Sequence, residues 1–173
     1  MLIFRPVSRA SSPCTFSPKI PPVYILLLED DPSRVSAMRS VLSDLLPTAQ
    51  LAAFDNAPAA IDFLEQHCAD TILISLDHDL GPTRQLDPAR FDPGDGRDVV
   101  SHLCTCTPTC PVIVHSANYQ MVPVMIESLR DAGWPATIVT PYSQLQHGWI
   151  ALEWRNEIEW LIANNRIRTQ PPP

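Results

Sequence analysis

Positive charge is scarce in this chain. Twelve Lys and Arg stand against nineteen Asp and Glu, a formal charge of −7 over 173 residues, which excludes the basic coating of a general nucleic-acid binder. Long apolar runs are also missing: although 45% of the residues are hydrophobic, no stretch approaches the length of a bilayer span, so no membrane partner is expected. The opening Met1-Leu2-Ile3-Phe4 is too short for a signal-peptide core and no cleavage site follows it, so the expectation is a soluble, cytoplasmic protein. The five cysteines are an odd set, unsuited to a closed disulfide framework. Cys104, Cys106 and Cys110 cluster, but their spacing and number fall short of a four-ligand zinc site, and ordinary thiols in a helix-to-strand connection are expected there.

What the chain does have is polar residues at the ends of apolar runs. Tyr24–Leu28 stops at Glu29-Asp30-Asp31, Ile72–Leu76 at Asp77-His78-Asp79, Val112–Val114 at His115-Ser116, and Ala136–Val139 at Thr140-Pro141. Short β-branched and leucine-rich runs alternating with helical patterns read as buried strands of a parallel sheet. Ligands of such sheets bind beyond the carboxyl ends of the strands, so these residues are expected to share one functional rim.

The alternation predicts five βα units. Strands are expected over 23–28, 51–54, 71–76, 111–114 and 136–139, and helices over 32–46, 57–67, 97–104, 122–132 and 146–163. Asp31-Pro32 is a strong helix start, since Asp caps free amides and Pro suits the first helical position. Residues 1–22, with five prolines among serines, read as an irregular extension, 23–165 as the domain, and 166–173 as a tail ending in three prolines. A long polar loop is expected from Gly81 to Gly96. Right-handed crossovers leave few arrangements, and the order 2-1-3-4-5 with helices on both faces, the flavodoxin-like α/β architecture, places the switch point between strands one and three.

In register along one chain, Leu27-Leu28-Glu29-Asp30-Asp31-Pro32, Leu76-Asp77-His78-Asp79-Leu80-Gly81-Pro82, Asp95-Gly96-Arg97-Asp98 and Ser116 resemble a receiver domain, the phosphoacceptor module of two-component signalling. The resemblance implies that Glu29 and Asp30 are the acidic metal-binding pair, Asp77 the phosphoacceptor and Ser116 the switch hydroxyl. Two features depart from that pattern. Receivers carry a lysine before the proline that ends strand five, where this chain has Thr140 before Pro141, and the loop after Asp77 is longer than usual. Asp-His-Asp-Leu-Gly at 77–81 with His115-Ser116-Ala117-Asn118 is similar to the receiver-derived group called cyclic-phosphate-processing receiver domains, which implies action on a cyclic phosphate of a nucleotide or an RNA end.

Three clustered carboxylates repel one another without a cation, and Mg2+ is the hard, oxygen-seeking ion that suits Glu29, Asp30 and Asp77. Opening a cyclic phosphodiester with water calls for a group near neutrality that moves protons, and His115 and His78 are the candidates beside Asp77. Their plain alternatives are a buried histidine satisfied by the backbone and a residue packed under the long loop. Ser116 and Asn118 are expected to donate to phosphate oxygens, and Asp79 to line that subsite, coordinate metal or orient His78. Arg84, Arg90 and Arg97 lie in or beside the long loop, where a guanidinium folding back could clamp an anionic substrate bidentately, though exposed side chains are the ordinary expectation for any one of them. His67, His102 and His147 are read as structural, and the tryptophans of the last helix as core or interface. The expected function is metal-assisted hydrolysis of a cyclic phosphate. The alternative is a single-domain response regulator phosphorylated on Asp77 by a histidine kinase partner.

Overall fold

The structure is a computed structural model that describes residues 21–81, 92–142 and 147–167. Most of the expected extension, the end of the tail, and the loop segment carrying Arg84 and Arg90 lie outside the described residues.

Five strands, β1 (Tyr24–Leu28), β2 (Gln50–Phe54), β3 (Thr71–Leu76), β4 (Val112–Val114) and β5 (Ala136–Ile138), pair in parallel in the order β2-β1-β3-β4-β5. This is the expected sheet. Five α-helices follow the strands in turn: α1 (Pro32–Leu45), α2 (Ala57–His67), α3 (Gly96–Leu103), α4 (Met121–Asp131) and α5 (Arg155–Ala163). Successive strand residues face opposite sides of the sheet, so the strands feed two cores. Leu26, Leu28, Ile74, Leu76, Val112 and Val114 pack with α2, α3 and α4, while Ile25, Leu27, Leu73 and Ile113 pack with α1 and the last helix. Every residue of β3 is buried, as suits the middle strand. β2 is only half-buried, as an edge should be.

Local chemistry sets the helix starts. Asp31 caps α1 by accepting from the backbone N–H of Ser33 and Arg34, with Pro32 in the first turn. Asp95 and Asp98 form a reciprocal capping box at α3.

The last helix departs from the expected regular run over 146–163. Gly148 and Trp149 are α-helical, Ile150–Trp154 is π-helical, and α-helical geometry resumes at Arg155. The wider turn brings Trp149, Ile150 and Trp154 onto one face, where all three are buried. A regular helix would splay the two indoles apart around its axis.

Register decides what the fold presents. Leu28 pairs with Leu76, and Leu76 with Val114. The residues that follow them, Glu29, Asp77 and His115, therefore line up side by side. Their backbone amides continue the ladder, donating to Phe54 O, Leu28 O and Leu76 O at 2.9, 2.9 and 2.8 Å.

Candidate active site

Glu29, Asp30 and Asp77 offer carboxylate oxygens that lie within 4.8 Å of one another, the one group of three or more potential metal-ligating His, Cys, Asp or Glu side chains among the described residues. Each carboxylate is held by the backbone. Glu29 Oε1 accepts from Asp31 N at 2.9 Å, Asp30 Oδ2 from Gly81 N at 2.7 Å, and Asp77 Oδ1 from His78 N at 2.6 Å. Carboxylates steered in this way, with hard oxygen donors converging, fit an ion such as Mg2+ or Mn2+.

The two buried carboxyls respond oppositely to their surroundings. Burial raises the carboxyl of Asp77, and the charge of Glu29 adds to that, against the opposing pull of His115, the His78 amide and the Ser116 hydroxyl. Burial also works against ionised Glu29, but hydrogen bonding and charge from His115, with the Asp31 amide and Arg34, bring it below its ordinary value. Glu29 is thus built to be an anion. For Asp77, ionisation carries a cost that a bound cation would relieve.

His115 is completely buried, and its Nε2 faces Glu29 Oε2 at 3.4 Å. Its Nδ1 lies 2.8 Å from Ser75 Oγ, which accepts from the indole of Trp154 at 3.0 Å. Ser75 Oγ thus bridges the indole and Nδ1, which turns the other ring nitrogen, Nε2, toward Glu29. Trp149 stacks on the same ring at 5.9 Å between centroids. A buried file of polar groups therefore runs from the last helix through β3 and β4 to the acidic rim.

His78 occupies a second cluster. Its Nδ1 lies 2.7 Å from Asp79 Oδ1, and the Asn118 side-chain amide donates to both Asp79 oxygens at 3.2 Å. Asn118 Oδ1 in turn accepts from Met121 N at the start of α4. His78 Nε2 is buried without a hydrogen-bond partner, 4.0 Å from Asp95 Oδ2. Ser116 Oγ accepts from Asn118 N at 3.2 Å. All eight residues singled out in the sequence, Glu29, Asp30, Asp77, His78, Asp79, His115, Ser116 and Asn118, thus lie on or directly beneath one rim, and Asn118 spends its amide on Asp79 and α4.

Several participants were not foreseen. Arg34 places Nη1 3.3 Å from Asp77 Oδ2 and 3.4 Å from Glu29 Oε2. In the sequence it looks like any helix-surface arginine. Ser75 did carry a signal, as a hydroxyl in the middle of a strand that is apolar from Ile72 to Leu76 on either side of it. His147 reaches α1, with Nε2 3.1 Å from Ser33 Oγ. Arg97 pairs with Asp95, away from the acidic trio. Cys106 Sγ lies 3.6 Å from His102 Nε2, with no metal-ligating group of three around them among the described residues.

Solved structures share the fold. A response regulator receiver domain from Rhodospirillum rubrum matches with a TM-score of 0.58 at 13% identity, covering 87% of this chain and all (100%) of that one. The phosphorylated cyanobacterial phytochrome response regulator RcpA matches with a TM-score of 0.60 at 18% identity, covering 88% of this chain and 100% of its own. The Mn2+-bound form of the response regulator Rcp1 matches with a TM-score of 0.57 at 18% identity, with the same coverages of 88% and 100%. At these identities the likeness is one of fold. No curated protein matches the sequence. No helix among the described residues is long and apolar enough to cross a membrane. The family model for the cyclic-phosphate processing receiver domain matches residues 24–131, from the first strand through α4 and across the acidic rim, and the chain belongs to that family.

Proposed function

We propose that this domain hydrolyses a cyclic phosphate, on a nucleotide or an RNA end, to a monoester with the help of a divalent cation, Mg2+ by preference. The observation that carries this reading is the convergence on one rim of a carboxylate trio with an oriented imidazole, His78, whose Nε2 has no hydrogen-bond partner. A pure phosphoacceptor needs the trio but has no use for the second cluster.

When bound, the ion neutralises charge on the phosphate and acts as a Lewis acid toward it. Glu29, Asp30 and Asp77 hold it. That the receiver relative Rcp1 is known in a Mn2+-bound form supports a divalent ion at this rim. The remaining chemistry belongs to the chain. Asp79, steadied by Asn118, accepts from Nδ1–H of His78 and so leaves the lone pair on Nε2. Nε2 takes a proton from a water as its oxygen attacks phosphorus. The bond from phosphorus to one ribose oxygen breaks, that oxygen collects a proton from a water at the rim, and His78, whose Nε2 is closed to bulk solvent, gives up its own proton to the next water that enters the site. Ser116, beside Asp77, donates to a phosphate oxygen. His115, fully buried, acts on Glu29 and holds it in place for the ion.

The test is phosphorus NMR of 2′,3′- and 3′,5′-cyclic nucleotides incubated with the protein and Mg2+, beside His78→Gln and Asp77→Asn. The expected result is a monoester formed over many turnovers, lost in both variants, with Mg2+ binding kept in His78→Gln and lost in Asp77→Asn. No conversion of any cyclic nucleotide overturns the reading. An acid-labile phosphate on Asp77 formed from a small phosphodonor would then identify the response-regulator alternative.

A further inference from the structure

The chain has one lysine, Lys19, and the described residues have none. β5 ends at Ile138 and leads into Val139-Thr140-Pro141 without a cation. A rim that gathers three carboxylates and is read here as handling a phosphate needs positive charge besides a metal ion, and the structure supplies it from another element. Arg34, in the first turn of α1, directs Nη1 at Asp77 Oδ2 (3.3 Å) and at both Glu29 oxygens (3.5 and 3.4 Å). Its Nε lies 3.8 Å from Asp31 Oδ2, and the side chain is 33% exposed, so the guanidinium enters the site from the solvent side.

We propose that Arg34 takes over the phosphate contact that a strand-five lysine makes in receivers, and that it does so by exchange: its guanidinium bridges Glu29 and Asp77 while no divalent ion is bound, yields those oxygens to the ion, and turns its fork to the phosphate. The inference rests on the phosphate-handling reading above and adds to it the residue that recognises the anion. Three observations support it. The oxygens that Nη1 shares are those of the trio that fits an ion, so guanidinium and ion compete for them. The side chain is long and its Nε meets Asp31 only across a loose 3.8 Å ion pair, so the guanidinium can re-aim through its own torsions without disturbing α1. A guanidinium presents paired N–H donors in the geometry that suits two phosphate oxygens. Arg97, the other arginine near the rim among the described residues, is committed to Asp95.

Exchange has a signature that a merely structural ion pair lacks: losing Arg34 moves the two affinities in opposite directions. Calorimetry would measure Mg2+ alone, and then inorganic phosphate in saturating Mg2+, for the wild type, Arg34→Gln and Arg34→Lys. Arg34→Gln should bind Mg2+ several-fold more tightly, because the competing cation is gone, and phosphate about tenfold or more weakly. Arg34→Lys, which keeps charge but not the fork, should fall between the two on both measurements. Unchanged or weaker Mg2+ binding in Arg34→Gln overturns the exchange. Phosphate binding in that variant equal to a measurable wild-type value overturns the recognition role and leaves the proposed function standing. A wild type that binds Mg2+ but no phosphate overturns both.

Discussion

Gly96, the first residue of α3, lies so close to Asp77 that a β-carbon on it would come within 2.3 Å of the Asp77 carbonyl oxygen and 2.9 Å of Met125 Cε. The Asp-Gly that opens the helix is thus a spacer against the backbone of the central acidic residue. Gly81 has a different neighbour: a β-carbon there would come within 2.6 Å of Asp30 Oδ2, the mobile end of a side chain. Gly96→Ala should therefore lower the melting temperature, because backbone must shift, whereas Gly81→Ala should cost little stability and weaken Mg2+ binding by displacing Asp30 from its bond with the Gly81 amide. Thermal unfolding and Mg2+ titration of the two variants check the contrast.

Ser75→Ala removes the middle of the buried file between Trp154 and Glu29. It leaves the indole N–H and His115 Nδ1 without their partner, and an orphaned buried polar group costs about 1–3 kcal/mol. A fall in unfolding free energy of that order is expected, together with weaker Mg2+ binding as Glu29 loses the imidazole that holds it. Ser75→Thr, which keeps the hydroxyl, should recover part of the Mg2+ affinity. Full Mg2+ affinity in Ser75→Ala would show that the file ends at His115.

Burial raises the Asp77 carboxyl above its ordinary value of 3.8. A group raised by folding contributes stability below that ordinary value and loses it as pH rises through its folded value, so at pH 7 the ionised side chain is a liability. Metal-free Asp77→Asn should melt above the wild type at pH 7, with the gap closing as pH falls toward 3.8. Adding Mg2+ should stabilise the wild type in proportion to the logarithm of concentration and leave the variant unmoved.

Asp95 shifts the other way. Despite partial burial, hydrogen bonds and charge from Arg97, with charge from His78, hold it below its ordinary value of 3.8. Its stabilising contribution is present above that value and disappears as pH falls through the lowered one. Asp95→Ala removes the α3 cap and should cost about 1 kcal/mol at pH 7. The difference from wild type should persist to about pH 5 and vanish in strong acid, which a series of thermal melts would follow.

Much of this was legible in the residues. The apolar runs and their polar terminators predicted five parallel strands and the rim, because a buried strand must be apolar along its length and can turn polar only where it leaves the sheet. Pro32 and Asp31 marked α1, and Asp95-Gly96 marked α3, within one residue of the observed starts. The rest depends on distance. Nothing local marks Arg34 as an active-site group, because its partners Glu29 and Asp77 are brought to it by β1 and β3. The burial of His115 follows from Trp149 stacking over it, and Trp149 gets there through a π-helical stretch that the apolar stripe of the last helix reads as regular. The bonds of Asn118 to Asp79 and to the start of α4 are likewise visible only once the loops meet.

The line from Trp154 through Ser75 and His115 to Glu29 ties four segments of the chain into a single inheritance. Transplanting the rim onto another receiver frame by copying its acidic residues and histidines alone would bring over the hands without the arm. A graft would also need a serine at the matching position of the middle strand and an indole reaching it from the final helix. For the same reason, substitutions at these four positions in diverging copies of the domain should occur together.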